Sequence, residues 1–284
     1  DRHADAPHPG PTPSIVKSPF VILLGSIDLS PPGTIAVSSM TFVLLAQNNR
    51  NDNDLGVWAI VATVAVGVLF GVFSGVLNAM FKIPSFMATL GVSAVGLGVA
   101  TLLYQTSTPR LFDEGLRQIA MGRLFGVSNL VAIAVVIVLA FWWVQRSTRI
   151  GRYLYVIGSS EEVALTSGVR VKVFKIITFM ISGGVFAFAG VLIAMQIGVG
   201  SVSVGIGQEF AAITAVVVGG TVLQGGSGSV LRTVIGALIM SVLANGLILA
   251  GVSQYIQPGV QGLVIVVAVA LASWKQRNRM RVVK

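Results

Sequence analysis

Cysteine is absent from the 284-residue chain, which excludes a disulfide framework, a thiolate metal site and thiol chemistry. Histidine occurs only at His3 and His8, inside a proline-rich leader, so a histidine-based metal or proton site is not expected. Charge is scarce as well. Charged residues make up 10% of the chain, against about 25% in a soluble globular domain, and an ordinary cytosolic enzyme is excluded on that ground. None of the lysines has a preceding glycine, so the Gly-x4-Gly-Lys-Ser/Thr loop that would bind ATP is missing. His-Glu-x-x-His is missing too. Gly225-Gly226-Ser227-Gly228 could pass for a phosphate loop, but it opens into an apolar run without a lysine.

Apolar residues, by contrast, reach 54%, and they are concentrated: residues 55–81 contain no charge at all. About 20 such residues already span a bilayer. The expected fold is all-α, a polytopic transmembrane helical bundle. Its membrane domain occupies 20–274, between a polar leader (1–19) expected to be disordered and a basic tail (275–284). About eight candidate spans fall at 33–46, 55–81, 84–105, 124–145, 176–197, 209–223, 233–251 and 256–274. The first and sixth are short or glycine-broken, and residues 20–27 are too short to cross alone.

The net charge of +9 raises the question of nucleic acid, but in a membrane chain the first issue is which loops carry it. The 146–175 segment holds Arg146, Arg149, Arg152, Arg170, Lys172 and Lys175, and the tail holds five more cations. Lys82 and Arg232 fall on the same side. The opposite loops hold only Arg50, Arg110, Arg117 and Arg123. The positive-inside rule then makes the 146–175 loop and the C-terminus cytoplasmic, and no nucleic-acid partner is needed. Gly67, Gly71 and Gly75 at four-residue spacing, and Gly96 with Ala100, put small residues on one helix face, where backbones approach closely.

Few polar residues interrupt the spans. In Gly25-Ser26-Ile27-Asp28-Leu29-Ser30-Pro31, Ser30 before Pro31 reads as a helix start, with serine capping free amides. An apolar stub breaks at Asp28. Two readings of Asp28 stay open: a carboxylate at mid-depth marking a pathway, or one at the interface satisfied by the next helix's amides. In the 146–175 loop, Ser159 and Glu162 form a capping box, and Glu161 and Glu162 suit the first turn. Ala164 and Ser167 continue this short helix, and Gly168 is placed to end it in a left-handed conformation. A helix of about two turns is marginal alone in water; it either docks on a partner or lies on its own bundle or the lipid surface. Gln208 and Glu209 open another short apolar run, which marks a pathway or simply caps a helix. Asn78 and Asn245 are pathway candidates or make helix–helix hydrogen bonds.

These residues also resemble a known family, the permease subunits of bacterial ribose-type monosaccharide ABC importers. The likeness covers about residues 21–274. It rests on Gly25-Ser-Ile-Asp-Leu-Ser30, Ile83-Pro-Ser-Phe-Met-Ala-Thr-Leu-Gly91, Gly151-Arg152-Tyr153 through Ile157-Gly158, Glu161-Glu162-Val163-Ala164, Ser167-Gly168-Val169, Ala215 through Thr221 and Gly236-Ala237-Leu238-Ile239. The resemblance implies a non-catalytic, multi-pass inner-membrane subunit that forms a homodimeric channel. It implies two partners, a cytoplasmic ABC ATPase and an extracytoplasmic sugar-binding protein. No cofactor is expected on this chain, since Mg-ATP would sit on the ATPase. The helix at Ser159–Gly168 matches the family's coupling helix, which seats in the ATPase. The chain departs from the family in showing about eight spans where ten are typical, with the shortfall expected at the N-terminus. Pro31-Pro32, Ser227 and Arg232 also differ from the usual residues. The alternatives are a branched-chain amino acid importer permease, a stand-alone secondary transporter or channel, and a truncated, non-transporting paralogue.

Overall fold

Five helices among the described residues are long and apolar enough to cross a membrane. The structure is a computed structural model. It describes residues 18–253 apart from 106 and 125, together with 256, 259–260, 262–264, 266–267 and 270. In chain order the elements are α1 (Ser18–Leu23), α2 (Pro31–Leu45), α3 (Trp58–Ala79), α4 (Ser85–Tyr104), α5 (Glu114–Met121), β1 (Arg123–Leu124), β2 (Val127–Ser128), α6 (Asn129–Ser147), α7 (Arg149–Ser159), α8 (Glu161–Thr166), α9 (Val171–Ile197), α10 (Gln208–Val218) and α11 (Val230–Leu249). The long spans are α3, α4, α6, α9 and α11; α2 and α10 are shorter apolar helices. The polytopic helical bundle is as expected.

The boundaries differ in instructive places. The span expected at 124–145 starts at Asn129, because Arg123 pairs with Ser128 and Leu124 with Val127 in a two-stranded hairpin turning at Gly126. The run expected over 209–223 ends at Val218, where Gly219-Gly220 stops it, Gly220 with φ +79°. The expected span at 176–197 begins earlier, at Val171, so Lys172 and Lys175 belong to the helix itself. The leader and basic tail fall almost wholly, and the eighth span largely, outside the described residues.

Helix α2 occupies the centre. Every residue from Pro31 to Met40 is buried, and a helix apolar on all sides belongs inside a bundle. It packs against α3, α4 and α9. The α3 glycines let α9 approach closely: a Cβ on Gly71 would stand 2.2 Å from the Phe179 carbonyl oxygen, and one on Gly67 2.2 Å from the Ala187 Cβ. Gly96 does the same for α4 against Gly33 of α2. The small-residue stripes are therefore packing seams. In contrast, only 11% of the α6 window is buried, so α6 lies at the periphery.

After α9 ends at Gly198 in a left-handed conformation, the chain turns back along α2. The Ser201 amide donates to Ser39 Oγ, and Gly205 lies against Pro32. Helix α10 consequently begins beside the start of α2. One end of the molecule gathers α5 and the ends of α2 and α9 around Phe42, Leu111, Leu116 and Met195. The other end gathers α7 and α8 around Leu23, Leu154, Ile157, Ala164 and Val230.

Candidate functional site

At the break between α1 and α2 the four residues 27–30 make no backbone hydrogen bond to α1 through their amides, a costly state within a bilayer unless side chains take over. They do so here from a single helix. Ser85 Oγ accepts from the Ile27 amide at 3.0 Å, Thr89 Oγ1 from Leu29 at 2.9 Å and Ser93 Oγ from Gly33 at 3.1 Å. These hydroxyls recur at four-residue spacing on α4, one above the other. That spacing is visible in the sequence, and it is the signal the sequence reading missed.

Asp28, half-buried, occupies the break. Its Oδ1 accepts from the Ser30 amide (3.0 Å) and Ser30 Oγ (2.6 Å), and its Oδ2 accepts from Ser182 Oγ at 2.8 Å. Ser182 lies about 16 Å along the 27-residue α9 from Val171, at 1.5 Å per residue. The carboxylate thus lies alongside the middle part of α9, held by hydroxyls and one amide rather than by an array of helix-end amides. Ser30 precedes α2 as expected, but it does not cap it. The next two residues are prolines without N–H groups, and the first free amide, Gly33, is taken by Ser93. The Ser30 hydroxyl turns back to Asp28 instead. A small cavity adjoins the site, lined by Val21, Ile22, Asp28, Ser182, Phe186 and Ile213.

The other pathway candidates are dispersed. Glu209 lies in the first turn of α10, one helical turn before Ile213, and one carboxylate oxygen, Oε2, is buried without a hydrogen-bond partner. It is not the N-cap; Gly207 is. Gln208 precedes it. Asn78 donates Nδ2 to the Ile83 carbonyl at 2.9 Å and so closes the α3–α4 turn. Asn245 is exposed on α11. The structure therefore brings Asp28 together with α9 and α10, and places Asn78 and Asn245 apart from them.

At the far end, α8 corrects the expected cap by one residue. Ser160, in extended conformation, is the N-cap and its Oγ accepts from the Val163 amide at 3.3 Å. Ser159 is the last residue of α7, and its hydroxyl donates to the Tyr155 carbonyl. No Ser159–Glu162 box forms because α7 runs straight up to Ser159, so only Ser160 has the non-helical backbone a cap requires. Glu161 and Glu162 are in the first turn, as expected. At the other terminus Gly168 has φ +77°, its amide reaching Leu165 and the Val169 amide reaching Ala164. That pair of bonds is a Schellman motif. Ala164 is fully buried against the bundle, whereas Val163 and Leu165 are 58% and 55% exposed, and Glu162, Ser167 and Gly168 are exposed too. Lys175 of α9 pairs with Glu161 at 2.7 Å.

Helix α7 is fastened to the loop before α11. Gln145 Nε2 donates to Tyr155 Oη at 2.7 Å, its Oε1 accepts from the Val230 amide at 3.0 Å, and Tyr155 Oη donates to the Gly228 carbonyl at 2.6 Å. Burial pushes the Tyr155 phenol above the usual tyrosine range, against smaller opposing effects of Gln145 and Arg232. It remains a protonated donor at neutral pH.

Residues 19–269 match a family described as the permease component of the branched-chain amino acid transport system. Among curated relatives, the ribose import permease of Escherichia coli strain K12 is 35% identical over 264 residues, covering 90% of this chain and 80% of its own length. The ribose import permease of Bacillus subtilis strain 168 is 35% identical over 258 residues, 89% of this chain and 78% of the relative. The galactose/methyl galactoside import permease of Escherichia coli strain K12 is 31% identical over 274 residues, 91% and 82%. No solved structure matches the chain.

Proposed function

This chain belongs to that permease-component family of multi-pass membrane proteins, and from that premise we propose that it is the membrane-spanning subunit of a monosaccharide importer driven by a separate ABC ATPase. Its relatives named for ribose and galactose import support a sugar cargo over a branched-chain amino acid. ATP hydrolysis belongs to the partner, an extracytoplasmic sugar-binding protein delivers the cargo, and two copies of the chain enclose the route. The end carrying α7 and α8 faces the cytoplasm of a bacterial inner membrane, and the positive-inside rule assigns the basic C-terminal tail to the same side.

The observation that carries this reading is α8. It is capped at both ends, seated through Ala164 on its own bundle, and turns Glu162, Val163 and Leu165 outward. A helix that short persists in water only when both ends are satisfied and one face is packed. The opposite face is then free to enter a cleft of the ATPase, and nucleotide-driven closure moves it as a rigid lever. Asp28 and Glu209, flanking the Ile213 side of α10, line the route that the lever opens.

The test is co-purification and uptake. Glu162→Lys with Leu165→Asp should abolish co-purification of a P-loop ATPase while leaving the permease in the membrane. Uptake of radiolabelled ribose or galactose should fall in a strain lacking the chain. Leucine uptake that falls instead would move the assignment to amino acid import.

A further inference from the structure

Three segments remote in sequence meet beneath α8. The Gly226 amide donates to the Leu23 carbonyl at 2.9 Å, joining the loop before α11 to the end of α1. The last turn of α7 is wedged between them. A Cβ on Gly158 would stand 1.8 Å from the Leu23 carbonyl oxygen and 2.6 Å from the Gly226 nitrogen. One on Gly225 would stand 2.6 Å from the Gly25 nitrogen. Backbone thus packs on backbone at all three contacts, with no flexible side chain between to absorb a displacement.

A second fastening lies one turn away. Gln145, 7% exposed, holds Tyr155 and the Val230 amide together, and Tyr155 holds the Gly228 carbonyl. Helix α7 is therefore tied to the 219–229 loop at two points, and that loop is tied to α1. Only Ser160 separates α7 from α8, and both rest on the apolar cluster that includes Leu23, Leu154 and Ile157. From Leu23 the chain runs directly through Gly25 to Asp28 and its bonds to Ser30 and Ser182.

We propose that the Gly158–Gly226–Leu23 contact, locked by Gln145 and Tyr155, is the joint that carries motion of α8 to the Asp28 break. It follows that Gly158, Gln145 and Tyr155 are positioning residues for transport. This deepens the permease reading above and rests on it. A shift of α8 drags α7, α7 drags the glycine loop, and the loop pulls the end of α1 against the fixed hydroxyl ladder of α4. Because the parts are packed rather than elastic, the break responds as a two-state element.

Two arms test it. In the reconstituted complex of permease, ATPase and sugar-binding protein, Tyr155→Phe keeps the ring and deletes the donor to Gly228. Assembly and ATP hydrolysis should persist while ribose or galactose imported per ATP falls about tenfold, within the range of a typical coupling energy. Gly158→Ala, whose Cβ must push the Leu23 carbonyl and the Gly226 amide apart, should lower the sugar-to-ATP ratio at least as far in the complexes that assemble, and the double variant should be little worse than Gly158→Ala alone, since both act at one joint. An unchanged sugar-to-ATP ratio in assembled Tyr155→Phe and Gly158→Ala complexes overturns the joint. Failure of the unmodified complex to form or import sugar overturns the permease reading instead.

The second arm needs neither partner nor sugar. In the isolated full-length chain, Ala164→Asp lifts α8 off its apolar seat. It should raise amide exchange at residues 23–30 and 222–229, whereas Val163→Asp, at an exposed position, should not. Exchange that changes only within α8 overturns the joint.

Discussion

Asp28 gains its meaning from what surrounds it. A half-buried carboxylate inside a helical bundle is tolerated when its lone pairs are taken, and three donors from Ser30 and Ser182 take them. Hydrogen bonds to a charged group contribute about 1.5–3 kcal/mol each. Because Ser182 bonds Asp28 directly, the two residues should couple: Ser182→Ala should lower the melting temperature in detergent in the unmodified chain and have less effect on an Asp28→Ala background. Additive losses would show that Ser182 acts elsewhere. Glycine obeys the same local logic. Gly71→Leu drives a side chain into the α9 backbone and should cost about 1–3 kcal/mol or more, whereas nothing lies within 4 Å of Gly98 and Gly98→Leu should leave thermal stability unchanged.

At the scale of elements, legibility depended on whether a structural role needs one residue or several. The break before Pro31 and the glycine stop at Gly168 were legible because a proline pair or a single left-handed glycine decides each. The cap of α8 falls one residue later than the sequence suggests because the amphipathic α7, with Leu154 and Ile157 buried, runs up to Ser159, and adjacent serines compete equally until the end of the preceding helix is known. Ser85, Thr89 and Ser93 passed unnoticed for another reason. A hydroxyl in an apolar helix ordinarily bonds its own backbone four residues back, as Thr89 also does to the Ser85 carbonyl. Nothing in α4 alone announces that an unwound neighbour will borrow the same groups. The corrected cap makes its own prediction. Ser160→Ala should cost about 1 kcal/mol and raise amide exchange at Val163, while Ser159→Ala should leave that exchange unchanged.

For the whole molecule, the distribution of charge and the placement of α8 must agree. Arg146, Arg149, Arg152, Arg170 and Lys172 are exposed around α7 and α8, and the other end holds Arg50, Arg110, Arg117 and Arg123. Arg50 is occupied there, donating to the Leu103 and Tyr104 carbonyls at the end of α4. Cations resist translocation toward the outer face, so the richer end is expected inside. The absence of cysteine makes this directly measurable. Single substitutions Val163→Cys on α8 and Asp52→Cys in the 46–57 loop both fall at exposed positions. A membrane-impermeant maleimide should label Asp52→Cys in spheroplasts and reach Val163→Cys only in inverted vesicles. The opposite pattern would place α8 outside the cell, where no ATPase waits. An engine-driven permease would then be untenable, whatever the cargo.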